Sequence, residues 1–387
     1  MSTNFEQLGL ITPLMTGLAK AGISAPTAIQ IQVIPAALAG KDIIGQSPTG
    51  TGKTLAYLLP LLQKLDSAKR ETQAVILAPT HELAIQIQRQ IEMLAKNSGL
   101  SVTAMPVIGD VNIIRQIEKL KEKPHIITGS GGRILELMQK RKINAQTIKT
   151  IILDEADRLL DEKNADSVKA VIKATQKDRQ LMLFSATITP ATLTRAQELM
   201  KNPEVLSVQG SLAGLPGIEH IYFVADQRDK FEVLRKVARA INIDRALVFI
   251  NKSEDVELTV AKLNYNGLPA AGIHGRLMKE DRKKALEDFR NGKIRLLVAS
   301  DLAARGLDIP GIKYVFNLNV PEDPEVYLHR AGRTGRAGQS GTVISIAAPR
   351  EAGLIEKYKK VLKVKIVPKH IARGKVFDKK VFDKNSN

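Results

Sequence analysis

Short apolar runs alternate with stretches of helical period from residue 42 onward. In the first half, 42–44, 74–78, 125–129, 150–154 and 180–184 read as strands, with helices over 82–95 and 167–175. In the second half, 246–250, 270–274, 295–300, 314–318 and 342–347 read as strands, with helices over 253–265, 279–290 and 324–331. The strand runs are almost continuously apolar. Both of their faces are therefore expected to be buried, as in parallel sheets covered by helices on each side. The pattern predicts an α/β protein whose ligands sit at the carboxyl ends of the strands.

Gly210, Gly214, Pro216 and Gly217 interrupt the pattern and place a linker at 208–217. A first domain then spans 1–207 and a second 218–367. A basic helix runs to about residue 362, and a short basic tail, 368–387, has no strong period. The tail holds KVFDK twice, at 375–379 and 380–384. A length of 387 residues suits two domains, each able to bury its own core.

Composition narrows the class. Hydrophobic residues are 44% and charged residues 25%, as in soluble globular proteins. No run approaches the roughly 18 apolar residues of a membrane span, and the N-terminal MSTNFEQLGL does not read as a signal peptide. A cytoplasmic location is expected. The absence of cysteine excludes disulfides, thiolate metal sites and a Cys nucleophile. The net charge of +18 points to a polyanionic partner, nucleic acid first. Residues 1–207 carry +6 of it and the remainder +12, so the second half should contribute more of the phosphate attraction.

Candidate chemistry begins at SPTGTGKT, residues 47–54, between a strand and an apolar helix. Gly50 and Gly52 let the backbone approach phosphate oxygens, and the amides at the helix start face them. Lys53 is placed to reach the β- and γ-phosphates, and Thr54 to offer its hydroxyl to Mg²⁺. The strict phosphate-loop template has Gly where Ser47 stands. Asp154-Glu155-Ala156-Asp157 follows a buried run, where carboxylates are costly unless they meet a cation or water. Asp154 suits the Mg²⁺ shell, and Glu155 suits the polarising of an attacking water. Arg330, Arg333 and Arg336 in one glycine-broken loop read together as an anion site.

With these motifs in this order, the chain resembles the DEAD-box RNA helicases over residues 5–348. GISAPTAIQ (22–30) is similar to the family's Q motif, Ser185-Ala186-Thr187 to its coupling motif, SDLAARGLD (300–308) to motif V, and HRAGRTGRAG (329–338) to motif VI. The resemblance implies two RecA-like domains that close on ATP, Mg²⁺ and RNA. It puts the nucleotide against Phe5, Thr27, Gln30, Thr49, Gly50, Thr51, Gly52, Lys53, Thr54, Asp308, Arg333 and Arg336. Phe5 would stack on the base, Gln30 would read its edge, and Arg333 and Arg336 would act as arginine fingers beside Lys53 and Glu155. It implies coupling through Asp157, Ser185, Thr187 and His329. It implies RNA contacts at Pro79, Thr80, Gly132, Arg133, Ser300 and Arg305.

The implied function is RNA-dependent ATP hydrolysis that separates short duplexes or remodels RNA–protein complexes. An ATP-gated RNA clamp or assembly scaffold is the alternative, and a DNA helicase is disfavoured by the Q motif and DEAD tetrad. A monomer working on single strands or short duplexes is expected, with ribosomal or other ribonucleoprotein assemblies as its setting. The chain departs from the family pattern at Ser47-Pro48, His81, Gly109-Asp110, Ser130-Gly131-Gly132-Arg133 and Lys279. Apart from the first, these lie on the RNA side.

Overall fold

A computed structural model describes residues 3–48, 50–109, 111–162, 164–208, 217–275, 277–304, 311–335 and 339–378. The chain divides into two compact units, residues 1–209 and 210–387. Of the expected linker, 209–216 lie outside the described residues, as do 379–387 of the tail.

The first unit is built on seven strands: β1 (Ile43–Gln46), β2 (Ala74–Leu77), β3 (Ala104–Val107), β4 (Ile126–Gly129), β5 (Thr150–Asp154), β6 (Gln180–Ser185) and β7 (Glu204–Ser207). Their order is β3-β4-β2-β5-β6-β1-β7, and every neighbouring pair is parallel. Parallel neighbours need crossovers, and helices supply them on both faces. Ile43, Ile76, Ile126 and Ile152 lie in one apolar cluster, and Ile44, Val75, Ile127 and Ile151 in another. Successive strand residues thus feed opposite faces, which is why the runs read as continuously apolar.

The second unit has β8 (Ile218–Val224), β9 (Ala246–Ile250), β10 (Ala270–Ile273), β11 (Leu296–Ser300), β12 (Tyr314–Asn317), β13 (Gly341–Ala347), β14 (Ile366–Ala372) and β15 (Lys375–Asp378). The order is β10-β11-β9-β12-β13-β8-β14-β15, parallel except for the final β14–β15 pair. Two sheets of mostly parallel strands with flanking helices give the architecture expected from the pattern.

The tail differs from its reading as an aperiodic segment. Residues 366–378 form a hairpin, with β14 running parallel to β8 through Ile366–Pro368. Arg373 and Gly374 make the turn with φ of 48° and 71°, the left-handed pair that matches the twist of a two-residue hairpin. Val367, Ile371 and Val376 pack against the core of the unit. Pro368 and Lys369 break the apolar run and hide the strand from a search for continuity. The edge strands β3 and β7 were also missed. β3 carries Pro106, tolerated at an edge, and β7 is half exposed. Among the described residues no helix is long and apolar enough to cross a membrane.

Candidate nucleotide site

Three neighbouring strands, β5, β6 and β1, end side by side, with Asp154 opposite Phe184 and Gln46 opposite Ser185. That register brings the 47–54 loop, the DEAD tetrad and Ser185 to one edge. The loop turns at Gly50 (φ 82°) and Gly52 (φ 88°), where a side chain would be strained. Gly52 caps the helix Lys53–Lys64. A Cβ on it would stand 2.5 Å from Gln30 Nε2.

Gln30 is buried, and both ends of its amide are engaged. Its Oε1 accepts from Thr27 N (2.9 Å), capping the helix Ala28–Leu38, and its Nε2 donates to Gly52 O (3.1 Å). The Q motif therefore braces the phosphate loop. Phe5 lies 6% exposed in the apolar cluster around that helix. Within the loop Thr51 donates to Pro48 O (2.7 Å), so its single hydroxyl proton is spent. The 2.6 Å contact with Ser47 Oγ must then use the Ser47 proton. Lys53 Nζ donates to the carbonyls of Ser47 and Pro48, the latter at 2.8 Å. Burial lowers its pKa to about 8, against the opposing pull of Asp154, Glu155 and Asp157. Thr49 lies outside the described residues.

Asp154 is 5% exposed at the end of β5. Its Oδ2 accepts from Tyr57 OH (2.8 Å) and its Oδ1 from Glu155 N (3.0 Å), and burial raises its pKa. Tyr57 thus fixes one of the residues expected to meet Mg²⁺. Nothing in the sequence pattern singled out Tyr57, an aromatic on a helix that reads as core. Glu155 adopts a left-handed φ of 54° as the chain turns sharply off the strand. Such strain is held at functional sites when the surroundings enforce it. Asp157 Oδ1 accepts from Ser185 Oγ at 2.5 Å, and Ser185 Oγ accepts from Thr187 N at 3.3 Å. The tetrad and the coupling motif are thus directly linked.

A buried carboxylate against a threonine hydroxyl and a lysine fits a Mg²⁺–phosphate group. Mg²⁺ takes one or two carboxylates and completes its shell with waters and phosphate oxygens, so Asp154 with the Thr54 hydroxyl would suffice to hold it.

The residues expected at RNA follow the neighbouring strands β2 and β4. Pro79 precedes Thr80, which caps the helix His81–Ser98 by accepting from Leu83 N (3.2 Å). Gly132 and Arg133 open the helix Gly131–Gln139. His81, which departs from the family pattern, joins Gly109 and Arg133, which keep it, in one network. Gly109 N donates to His81 Nε2 (3.3 Å), and Arg133 donates to Gly109 O (2.7 Å) and Val111 O (3.0 Å).

In the second unit the reading of three equivalent arginines is corrected. Arg330 is 1% exposed and spends all five N–H donors internally. Nε and Nη2 clasp Asp301 (2.6 and 2.7 Å), Nη1 reaches Asn317 Oδ1 and Asn319 O, and Nη2 also reaches Asn251 Oδ1. It leaves no donor for an anion and instead fastens β9, β11, β12 and its own helix. Arg333 lines a small pocket with Asp301, His329 and Phe249. Ser300 is buried at the end of β11, its Oγ without a hydrogen-bond partner among the described residues. Arg305, Asp308 and Arg336 lie outside the described residues.

The fold and this edge define a nucleotide-binding α/β protein of the two-unit RecA-like class. The DEAD/DEAH box helicase family profile matches residues 27–196, and the helicase conserved C-terminal domain profile matches 229–338. The chain is 41% identical to the probable ATP-dependent RNA helicase YfmL of Bacillus subtilis, over 92% of this chain and 93% of that one. It is 39% identical to the DEAD-box ATP-dependent RNA helicase CshA of Bacillus cereus, over 94% of this chain and 69% of the relative. The structure of S. cerevisiae Dbp5 bound to RNA and ADP BeF3 superposes with a TM-score of 0.86 at 30% identity, covering 95% and 96% of the two chains. The chain belongs to the DEAD-box family of ATP-dependent RNA helicases.

Proposed function

We propose that this protein hydrolyses ATP when RNA is bound and uses the cycle to open short duplexes or remodel RNA–protein complexes. The observation that carries the reading is the shared edge of β5, β6 and β1, where Lys53, Thr54, Asp154, Glu155 and the Ser185–Asp157 bond meet.

In this reading Lys53 leaves the loop carbonyls it now bonds and pairs with phosphate oxygens, for which a buried ammonium is a better match. Thr54 and Asp154 hold Mg²⁺, with Tyr57 fixing the carboxylate. The metal supplies charge neutralisation of the phosphates. Glu155 orients the attacking water and accepts its proton, and Arg333 of the second unit meets the charge on the transferred group. Thr27 and Gln30 set base choice. Each polar atom of the Gln30 amide has one protein partner, leaving one lone pair and one N–H. Adenine offers the matching amino donor and N7 acceptor, whereas guanine offers two acceptors. Ser185, Thr187 and Asp157 link the hydrolytic edge to the RNA side, as does His329 in the second unit.

The test is steady-state ATPase with RNA, with DNA and with neither. RNA alone should stimulate turnover. Glu155→Gln should retain ATP and RNA binding and lose turnover by about 10²–10⁴-fold, since it removes a carboxylate base while keeping its shape. Wild-type turnover in that variant would overturn the role of Glu155, and turnover indifferent to RNA would overturn the reading as a whole.

A further inference from the structure

The strands of the second unit also have a far end, away from the pocket of Arg333, and it carries an unexplained row of charge. Leu296, Ala246 and Tyr314 are register partners on β11, β9 and β12. The residues just before them, Arg295, Arg245 and Lys313, therefore fall in line across three adjacent strands, about 4.8 Å apart in the pairing direction. Like charges in direct opposition destabilise a sheet. Among the described residues none of the three has an ion-pair partner. Arg245 donates only to the Arg290 carbonyl (3.4 Å), at the end of the helix Lys279–Arg290, and Lys313 lies 5.5 Å from the centroid of the Tyr314 ring.

Beside this row opens a cleft of about 510 Å³ lined by Asp244, Arg245, Gly311, Lys313, Gln339 and Ser340. Gly311 keeps it open, because a Cβ there would come within 3.1 Å of Arg245 Nη2. Asp244 is the one acid on its wall among the described residues. Arg290 and Lys293 extend the positive surface, with Lys293 paired to Asp288 at 3.3 Å.

We infer that this end of the second unit is a separate phosphate-binding track for RNA flanking the catalytic region. Three aligned cations without acidic partners are a standing repulsion that a polyanion relieves, and releasing its counterions supplies affinity without base specificity. A protein partner would need apolar or aromatic anchors at the centre of the contact, and among the described residues the cleft offers only Tyr314. Ser300 and Arg295 stand at opposite ends of one buried strand, about 17 Å apart in a straight line, so RNA leaving the Ser300 end reaches the row by a longer path around the outside of the unit. The inference rests on RNA being the partner in the proposed function.

The test compares the wild type with the triple variant R245E/R295E/K313E on a short RNA oligonucleotide and on a long single strand, each titrated across KCl concentrations. Short-RNA affinity and short-RNA-stimulated ATPase should be unchanged. Long-RNA affinity should fall, with a log–log salt slope shallower by about 2, near 0.7 for each lost contact. R245Q/R295Q/K313Q carries the same test if the glutamates disturb folding, and R245K/R295K/K313R should restore the slope. An unchanged long-RNA slope, or an equal loss on both lengths, would overturn the track. So would loss of polyglutamate binding with long-RNA binding intact, which would mark a protein-docking surface. Wild-type ATPase that ignores RNA altogether would instead sink the proposed function, so the two failures are distinguishable.

Discussion

At the residue scale the site depends on side chains that sequence motifs do not name. Tyr57 donates to Asp154 and packs its ring against Phe184, centroids 5.1 Å apart. Tyr57→Phe keeps the ring and removes the hydroxyl. One hydrogen bond to a charged group is worth about 1.5–3 kcal/mol, so Mg²⁺ half-saturation of the ATPase should rise roughly tenfold or more. A purely structural role would move the unfolding midpoint and leave the Mg²⁺ dependence alone. His220 makes a second residue-scale case. It is 3% exposed, its Nδ1 lies 2.8 Å from Tyr327 OH, and burial pushes its pKa down to about 4. Unfolded, it returns to about 6.5. The native state thus holds it neutral. Its contribution is complete above about pH 6.5 and is lost as pH falls from there toward 4. Unfolding free energy from denaturant melts should drop by about 2 kcal/mol between roughly pH 7 and pH 5 from this group. His220→Gln should flatten that part of the curve, and an identical pH dependence in the variant would reject the assignment.

At the element scale, what was legible followed from physics that leaves one choice of residue. Buried parallel strands must be apolar on both faces, so the runs 150–154 and 246–250 coincide with β5 and β9. A loop that cradles phosphate needs glycine and lysine, so 47–54 was legible too. Arg330 is not separable in the sequence because a basic residue in a glycine-broken loop looks the same whether it faces solvent or is buried against a carboxylate. Only its 1% exposure and its bonds to Asp301 separate it from its neighbours. The hairpin of β14 and β15 is hidden because Lys369 falls between Val367 and Ile371 on the inward face and breaks the apolar alternation. Its place in the fold gives a prediction. Deleting residues 369–387 removes Ile371 and Val376 from the core and should cost about 2–3 kcal/mol, lowering the unfolding midpoint by several degrees. Deleting only 379–387 should leave the midpoint where it is. Equal midpoints for the two truncations would show that the hairpin is not part of the cooperative unit.

At the scale of the whole molecule the chemical groups are divided between the two units. Lys53, Thr54, Asp154 and Glu155 belong to the first and Arg333 to the second. Turnover should therefore depend on an arginine that contributes nothing to the affinity of the phosphate loop itself. Arg330 and Arg333 stand three residues apart and allow the comparison within one motif. Arg330→Ala strips the half-buried Asp301 of its bidentate partner, leaves Asn251 and Asn317 without theirs and empties a site at 1% exposure, so it should destabilise the second unit by about 3 kcal/mol. Arg333→Ala should leave ATP binding to the phosphate loop of the first unit intact. It should lower RNA-stimulated turnover by roughly 10³-fold or more, the scale on which arginine fingers act in phosphoryl transfer. Calorimetric melts and single-turnover hydrolysis on the full chain separate the two effects. If Arg333→Ala hydrolysed ATP at the wild-type rate, the transition-state charge would have to be met within the first unit, and the division of labour proposed for the two units would fail.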